Sequence, residues 1–223
     1  MRYQNIRRNA LAGYLSFALT AILTLVLSPI FVSALGTASF GIWKACLRVL
    51  DFALVADGRA SQGLKWLLAS KNNESDHAKR KAVGSALKVW CQFMPLTAVV
   101  LASLVWFMPY LINGAATATE EVRMVAAILA INMFLFPLLG IPDAALAGAN
   151  QAYVSTNIQT CTLIGSNLLM IWVAIHGYGL FGVVTIALVA TTLNAFVVFL
   201  AARRRLSWFG VSKDATQEEH SQV

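Results

Sequence analysis

The stretch ALAGYLSFALTAILTLVLSPIFVSAL, residues 10–35, holds 26 residues without a single charge. The hydrocarbon core of a bilayer is crossed by about 20 apolar residues, whereas the core of a secretory signal peptide takes only about 7 to 15. The run follows a basic start, MRYQNIRRNA, and is read as a retained first membrane helix rather than a cleaved leader. The rest of the sequence has the same character: 58% hydrophobic and 12% charged over 223 residues, with a mean hydropathy of +0.68. A soluble domain carries about twice that share of charge.

The expected fold is all-α, a six-helix transmembrane bundle spanning residues 1–205 and followed by a polar cytoplasmic tail at 206–223. Spans are expected at 10–34, 40–62, 86–108, 122–146, 157–176 and 179–201. The short connections LGTAS and HGYGL make the first two and last two spans antiparallel hairpins. KNNESDHAKRKAVGS, residues 71–85, is the one sizeable polar loop.

Lys and Arg set the orientation. Thirteen of the seventeen fall on one side: Arg2, Arg7 and Arg8 at the start, then Lys65, Lys71, Lys79, Arg80, Lys81 and Lys88, then Arg203, Arg204, Arg205 and Lys213. Only Arg123, beside Glu120 and Glu121, falls opposite. Both termini are therefore expected in the cytoplasm, with an even number of crossings in a bacterial inner membrane.

Several motifs have plainer readings. The net charge of +7 does not indicate nucleic acid, because the bases lie between apolar runs rather than on a soluble face. GYGLFG at 177–182 matches a dinucleotide fingerprint, but spanning helices flank it where a strand is required, so it is read as a tight turn. Asn73-Glu74-Ser75 is a glycosylation sequon on the cytoplasmic side and is set aside. Cys46, Cys91 and Cys161 lie inside apolar runs and are read as packing residues. His77, His176 and His220 have no ligand partner at metal spacing, and no nucleophile, base and carboxylate come together. Neither a metal, a cofactor nor an enzymatic activity is expected.

The second span is the anomaly. WKACLRVLDFALVADGR, residues 43–59, carries Lys44, Arg48, Asp51, Asp57 and Arg59. At about 100° per residue, Lys44, Arg48, Asp51, Val55, Arg59 and Gln62 fall within an arc of roughly 80°, with Asp57 on the far side next to Gly58. Each charge near the bilayer centre costs about 2.5–3.5 kcal/mol, so Arg48 and Asp51 together cost roughly 6 kcal/mol. Such a stripe belongs against water or protein, not lipid. It is either a structural Arg48–Asp51 ion pair that joins helix two to its neighbours, or a polar pathway of net positive charge suited to a phosphate-bearing anion.

NIRRNALAGYLSFALTAILTLVLSPIFVSALGTASFGIWKACLRVLDF, together with VADGRASQGL at 55–64, LAGANQAY at 146–153 and GYGLFGVV at 177–184, resembles the N-terminal half of Wzx-type polysaccharide flippases. These belong to the superfamily of MATE drug exporters and the lipid II flippase. The resemblance implies flipping of undecaprenyl-diphosphate-linked oligosaccharide, for O-antigen or other polysaccharide, by alternating access between two six-helix bundles. One such bundle is present here, so a second six-helix half or a homodimer partner is expected to complete the cavity. Substrate would meet Lys44, Arg48, Asp51 and Arg59, with Arg8 at the entrance. Asp57 and Gly58 would act at a helix break, and Pro137 and Pro142, in FPLLGIPDA, would let helix four bend. The alternatives are a cation-coupled MATE-type drug exporter, which calls for an acidic cavity, and a non-transporting structural or assembly fragment.

Overall fold

The computed structural model describes residues 2–52, 60–71, 74–112 and 119–209. Among these the chain is all-helical: α1 (Arg2–Leu35), α2 (Thr37–Asp51), α3 (Ala60–Ser70), α4 (Asp76–Leu111), α5 (Thr119–Leu139), α6 (Ile141–Gly148), α7 (Ala152–Ile175) and α8 (Gly179–Arg205). Five helical segments are long and apolar enough to cross a membrane: α1, α4, α5 with α6, α7 and α8. Their outward faces carry large apolar side chains such as Phe17, Leu25, Val99 and Phe196. An exterior as apolar as the interior is the arrangement that lipid solvation requires.

The expected second span, 40–62, is not one such helix. Its described parts are α2, 15 residues, and α3, 11 residues, and 53–59 lie outside the described residues. The expected 71–85 loop is also mostly helix. Ser75 accepts a hydrogen bond from the Ala78 amide at 3.3 Å and caps α4, which starts ten residues before the expected boundary. The polarity of DHAKRKAVGSA reads as loop, but a capped helix end projecting into the headgroup region tolerates the same residues.

Helices α1, α7, α8, α5 and α4 pack in sequence as a row of neighbours, α2 lies mainly against α5 and α1, and α3 lies on α6 and α4. Two apolar clusters mark the two ends. One joins Leu27, Trp43, Leu50, Met108, Val125 and Val183; the other joins Leu64, Leu68, Val83, Leu146, Val198 and Trp208. α2 thus occupies one half of the bundle's depth and α3 the other.

The turns explain themselves locally. Gly36, at φ 81°, reverses the chain between α1 and α2, and Gly177 (φ 80°) and Gly179 (φ 63°) do so between α7 and α8. These are left-handed conformations that favour glycine. GYGLFG is therefore a helix-to-helix turn. The Gly140 turn separates α5 from α6, between two buried prolines, Pro137 and Pro142, that cannot donate to the carbonyls four residues back.

Candidate functional site

α2 presents two opposed faces. Ile42, Trp43, Cys46 and Leu50 are buried against α1, α4 and α5, while Lys44, Arg48 and Asp51 are exposed. Arg48 Nη1 lies 3.5 Å from Asp51 Oδ2, and the side chains are 85% and 44% exposed. The pair is thus made within one helix, on its outer face, and does not fasten α2 to its neighbours. At about 1.5 Å per residue from Thr37, Lys44 lies about 10 Å, Arg48 about 16 Å and Asp51 about 21 Å along the helix. Measured along α2, Arg48 thus stands about as far from the α1–α2 turn as half of a ~30 Å hydrocarbon core.

Lys44 turns toward the aromatic side of α2: its ammonium lies 4.6 Å from the Trp43 ring centroid and 5.3 Å from that of Phe40. A cation over such ring faces gains about 0.5–1 kcal/mol at an exposed site. The same residues border a cleft of about 120 Å³ between α1, α2 and α7, whose polar lining is Thr20, Thr24, Ser28, Lys44 and Asn167. Thr20, Thr24 and Ser28 each donate to the carbonyl four residues earlier, at 2.6–2.8 Å. Their hydrogens are committed to the backbone, so the oxygens offer acceptor lone pairs to the cleft. Asn167 also donates to a carbonyl, that of Leu163, at 2.8 Å. The cleft combines one ammonium with a ladder of acceptors that can receive hydroxyl or other hydrogen-bond donors. The i, i+4, i+8 spacing of Thr20, Thr24 and Ser28 was present in the sequence but went unread inside an apolar run.

Arg8 lies at the far end of α1, twelve residues or about 18 Å before the level of Thr20. Its guanidinium is 5.7 Å from the Tyr153 ring centroid, and Arg205 Nη1 is 3.5 Å from the Tyr153 hydroxyl. Arg8 is therefore grouped with the basic end of α8 and not with Lys44 or Arg48. Pro137 and Pro142 are buried at the α5–α6 junction, where Gly140 allows the close approach of α3: a Cβ there would lie 3.4 Å from Ser61 Cβ. Asp57, Gly58 and Arg59 lie outside the described residues, as does Val55 of the same stripe.

At the opposite end of the bundle, Arg123 lies 3.7 Å from Glu120 and 4.8 Å from the Trp106 ring centroid. Among the described residues no group of three or more His, Cys, Asp or Glu is placed to hold a metal ion. No family model matches the chain, and no curated protein or solved structure is significantly similar to it.

Proposed function

We propose that this chain is a six-crossing half of a Wzx-type polysaccharide flippase, moving undecaprenyl-diphosphate-linked oligosaccharide across the bacterial inner membrane. The observation that carries the reading is the exposed Lys44–Arg48–Asp51 face of α2, which this reading sets at mid-membrane depth. An 85%-exposed arginine there has no place against lipid, so this face meets a watery cavity or a second protein surface. Transporters place their substrate sites near the midplane, at the interface between two repeats. A second six-helix unit, another copy or another subunit, supplies the facing wall.

In this reading α2 and α3 together account for one crossing, which brings the five long spans to six, and the Lys and Arg distribution puts both termini in the cytoplasm. Arg48 and Lys44 attract the diphosphate or an acidic sugar, Asp51 holds Arg48 in place, and the α1 hydroxyl ladder accepts from sugar hydroxyls. Arg8 meets the phosphate at the cytoplasmic entrance, and the α5–α6 junction bends. Positive charge outweighs negative on the described face of α2, which disfavours a drug-cation exporter.

The test is translocation of a fluorescent polyprenyl-diphosphate sugar in proteoliposomes, scored by access to an external quencher. The parent is expected to translocate, and Arg48→Glu to lose at least ten-fold of the rate while keeping its helical content. Parent-like transport by folded Arg48→Glu would remove α2 from the pathway. Absence of transport by the parent would point to a different second unit or to a non-transporting structural role.

A further inference from the structure

A second concave region lies away from α2. It is a groove of about 550 Å³ between α4, the α5–α6 junction and α8, walled by Leu87, Leu138, Ala195, Phe196 and Phe209, with Arg203 among its lining residues. Phe196 and Phe199 on its rim are exposed, so it opens outward, toward what surrounds the bundle. From Thr192 to Arg203 the groove follows eleven residues of α8, about 16 Å at the helical rise. That is about half of the ~30 Å hydrocarbon thickness, the depth of one leaflet.

Its headgroup end is built and basic. The Arg203 guanidinium sits 5.9 Å from the Phe199 ring centroid, and Phe199 meets Phe209 edge-on at 5.8 Å. Arg80 Nε donates to the Trp208 carbonyl at 3.1 Å, pinning the segment after α8 that carries Phe209 into the wall. Arg203, Arg204 and Arg205 form the last turn of α8, and among the described residues none of the three is in an ion pair. An apolar channel about one leaflet deep, ending at the Arg203 guanidinium, complements a hydrocarbon chain attached to a phosphate.

We infer that this groove is a binding site for an anionic phospholipid of the leaflet on the Arg203 side, with one acyl chain along α8 and its phosphate at Arg203. A zwitterionic phospholipid brings an ammonium group to the same basic end and is held less well. The inference rests on the membrane-spanning architecture and not on the flippase reading, so either can fail alone.

Native mass spectrometry of the full chain released from detergent micelles provides the test, with phosphatidylglycerol or phosphatidylcholine of matched acyl chains as probes. The parent is expected to retain one phosphatidylglycerol at least ten-fold more often than phosphatidylcholine, and excess inorganic phosphate leaves it in place. Arg203→Gln, at an exposed position, and Thr192→Trp, which fills the deep end, are each expected to abolish that preference or retention. Equal retention of the two lipids would overturn the proposal, as would unchanged retention in Arg203→Gln. Displacement by inorganic phosphate would reduce the site to a surface anion contact, and preferential capture of polyprenyl phosphate would overturn the phospholipid as occupant.

Discussion

Asn9 of α1 caps a helix it does not belong to. Its Oδ1 accepts from the Tyr153 amide at 2.8 Å, and its Nδ2 donates to Asn150 Oδ1 at 2.8 Å, 141 residues along the chain. The Tyr153 amide is one of the unpaired donors in the first turn of α7, and Gln151, the residue before that helix, supplies no side-chain cap. Asn150 itself is held at φ 58°, the left-handed region in which asparagine is unusually at ease. One side chain thus ties α1 to the start of α7 and to the turn before it.

Asn9→Ala leaves an amide and an amide oxygen unpartnered, and is expected to cost about 1–3 kcal/mol. Asn150→Gly keeps the left-handed turn but loses the side-chain contact. Because both changes remove one shared interaction, the double variant is expected to be less destabilised than the sum of the singles, by about 0.5–1.5 kcal/mol. Thermal unfolding of the four proteins in one detergent measures that coupling. Strict additivity would mean that the two side chains do not act as a unit.

The α3–α6 contact makes a second prediction. A Cβ built on Gly148 would lie 2.6 Å from Leu68 Cβ and 3.2 Å from the Lys65 carbonyl oxygen. Neither atom is the free end of a flexible side chain, so the two helices must part. Gly148→Ala is expected to destabilise by about 1–3 kcal/mol. Gly165→Ala, in the middle of α7 with nothing within 4 Å of the new methyl, is expected to stabilise by about 0.5–1 kcal/mol through helix propensity. Opposite shifts of the thermal midpoint would check both.

Much of the architecture was legible in composition, because lipid imposes one rule on every spanning segment: internal hydrogen bonds and an apolar exterior. The fourth, fifth and sixth expected helices lie within about five residues of α5 with α6, α7 and α8, and the first ends beside Leu35 but misses the polar first eight residues of α1. Polarity misled at the α4 start, where Lys79, Arg80 and Lys81 read as loop but extend a helix beyond the hydrocarbon. That Lys44, Arg48 and Asp51 share one face followed from helical spacing, whereas the expected Arg48–Asp51 link from helix two to its neighbours did not, since the pair lies exposed within α2. The cleft beside Lys44 did not, since it depends on α7 bringing Asn167 opposite Thr24, a long-range pairing that no local pattern encodes. The Asn9 cap escaped notice for the same reason.

Pro137 and Pro142 leave the Met133 and Leu138 carbonyls without the amide partners an uninterrupted helix would provide. The junction they flank is therefore expected to open more readily than α7, which contains no proline. Hydrogen–deuterium exchange of peptides covering 138–144 should be faster than that of peptides covering 163–170. Pro137→Ala with Pro142→Ala should slow the former by about ten-fold and, if bending accompanies transport, lower the translocation rate as well. Equal exchange across both regions of the parent would show that the junction is held rigid by its packing against α3.

The sharpest contrast concerns two positions at similar depth. Counted from the same end of the bundle, Arg48 lies eleven residues into α2 and Val99 twelve residues from the end of α4, about 16 and 18 Å. Both are exposed, yet one belongs to a charged face and the other to an apolar one. A thiol reacts as its thiolate, which requires water. With Cys46, Cys91 and Cys161 replaced by alanine, Arg48→Cys in membrane vesicles is expected to react with a charged thiosulfonate at least ten-fold faster than Val99→Cys. A polyprenyl-diphosphate sugar in the same vesicles should slow only the first reaction. Equally slow modification of both would place the α2 face against lipid or sealed protein, and the charges would then have to be satisfied by a partner surface alone.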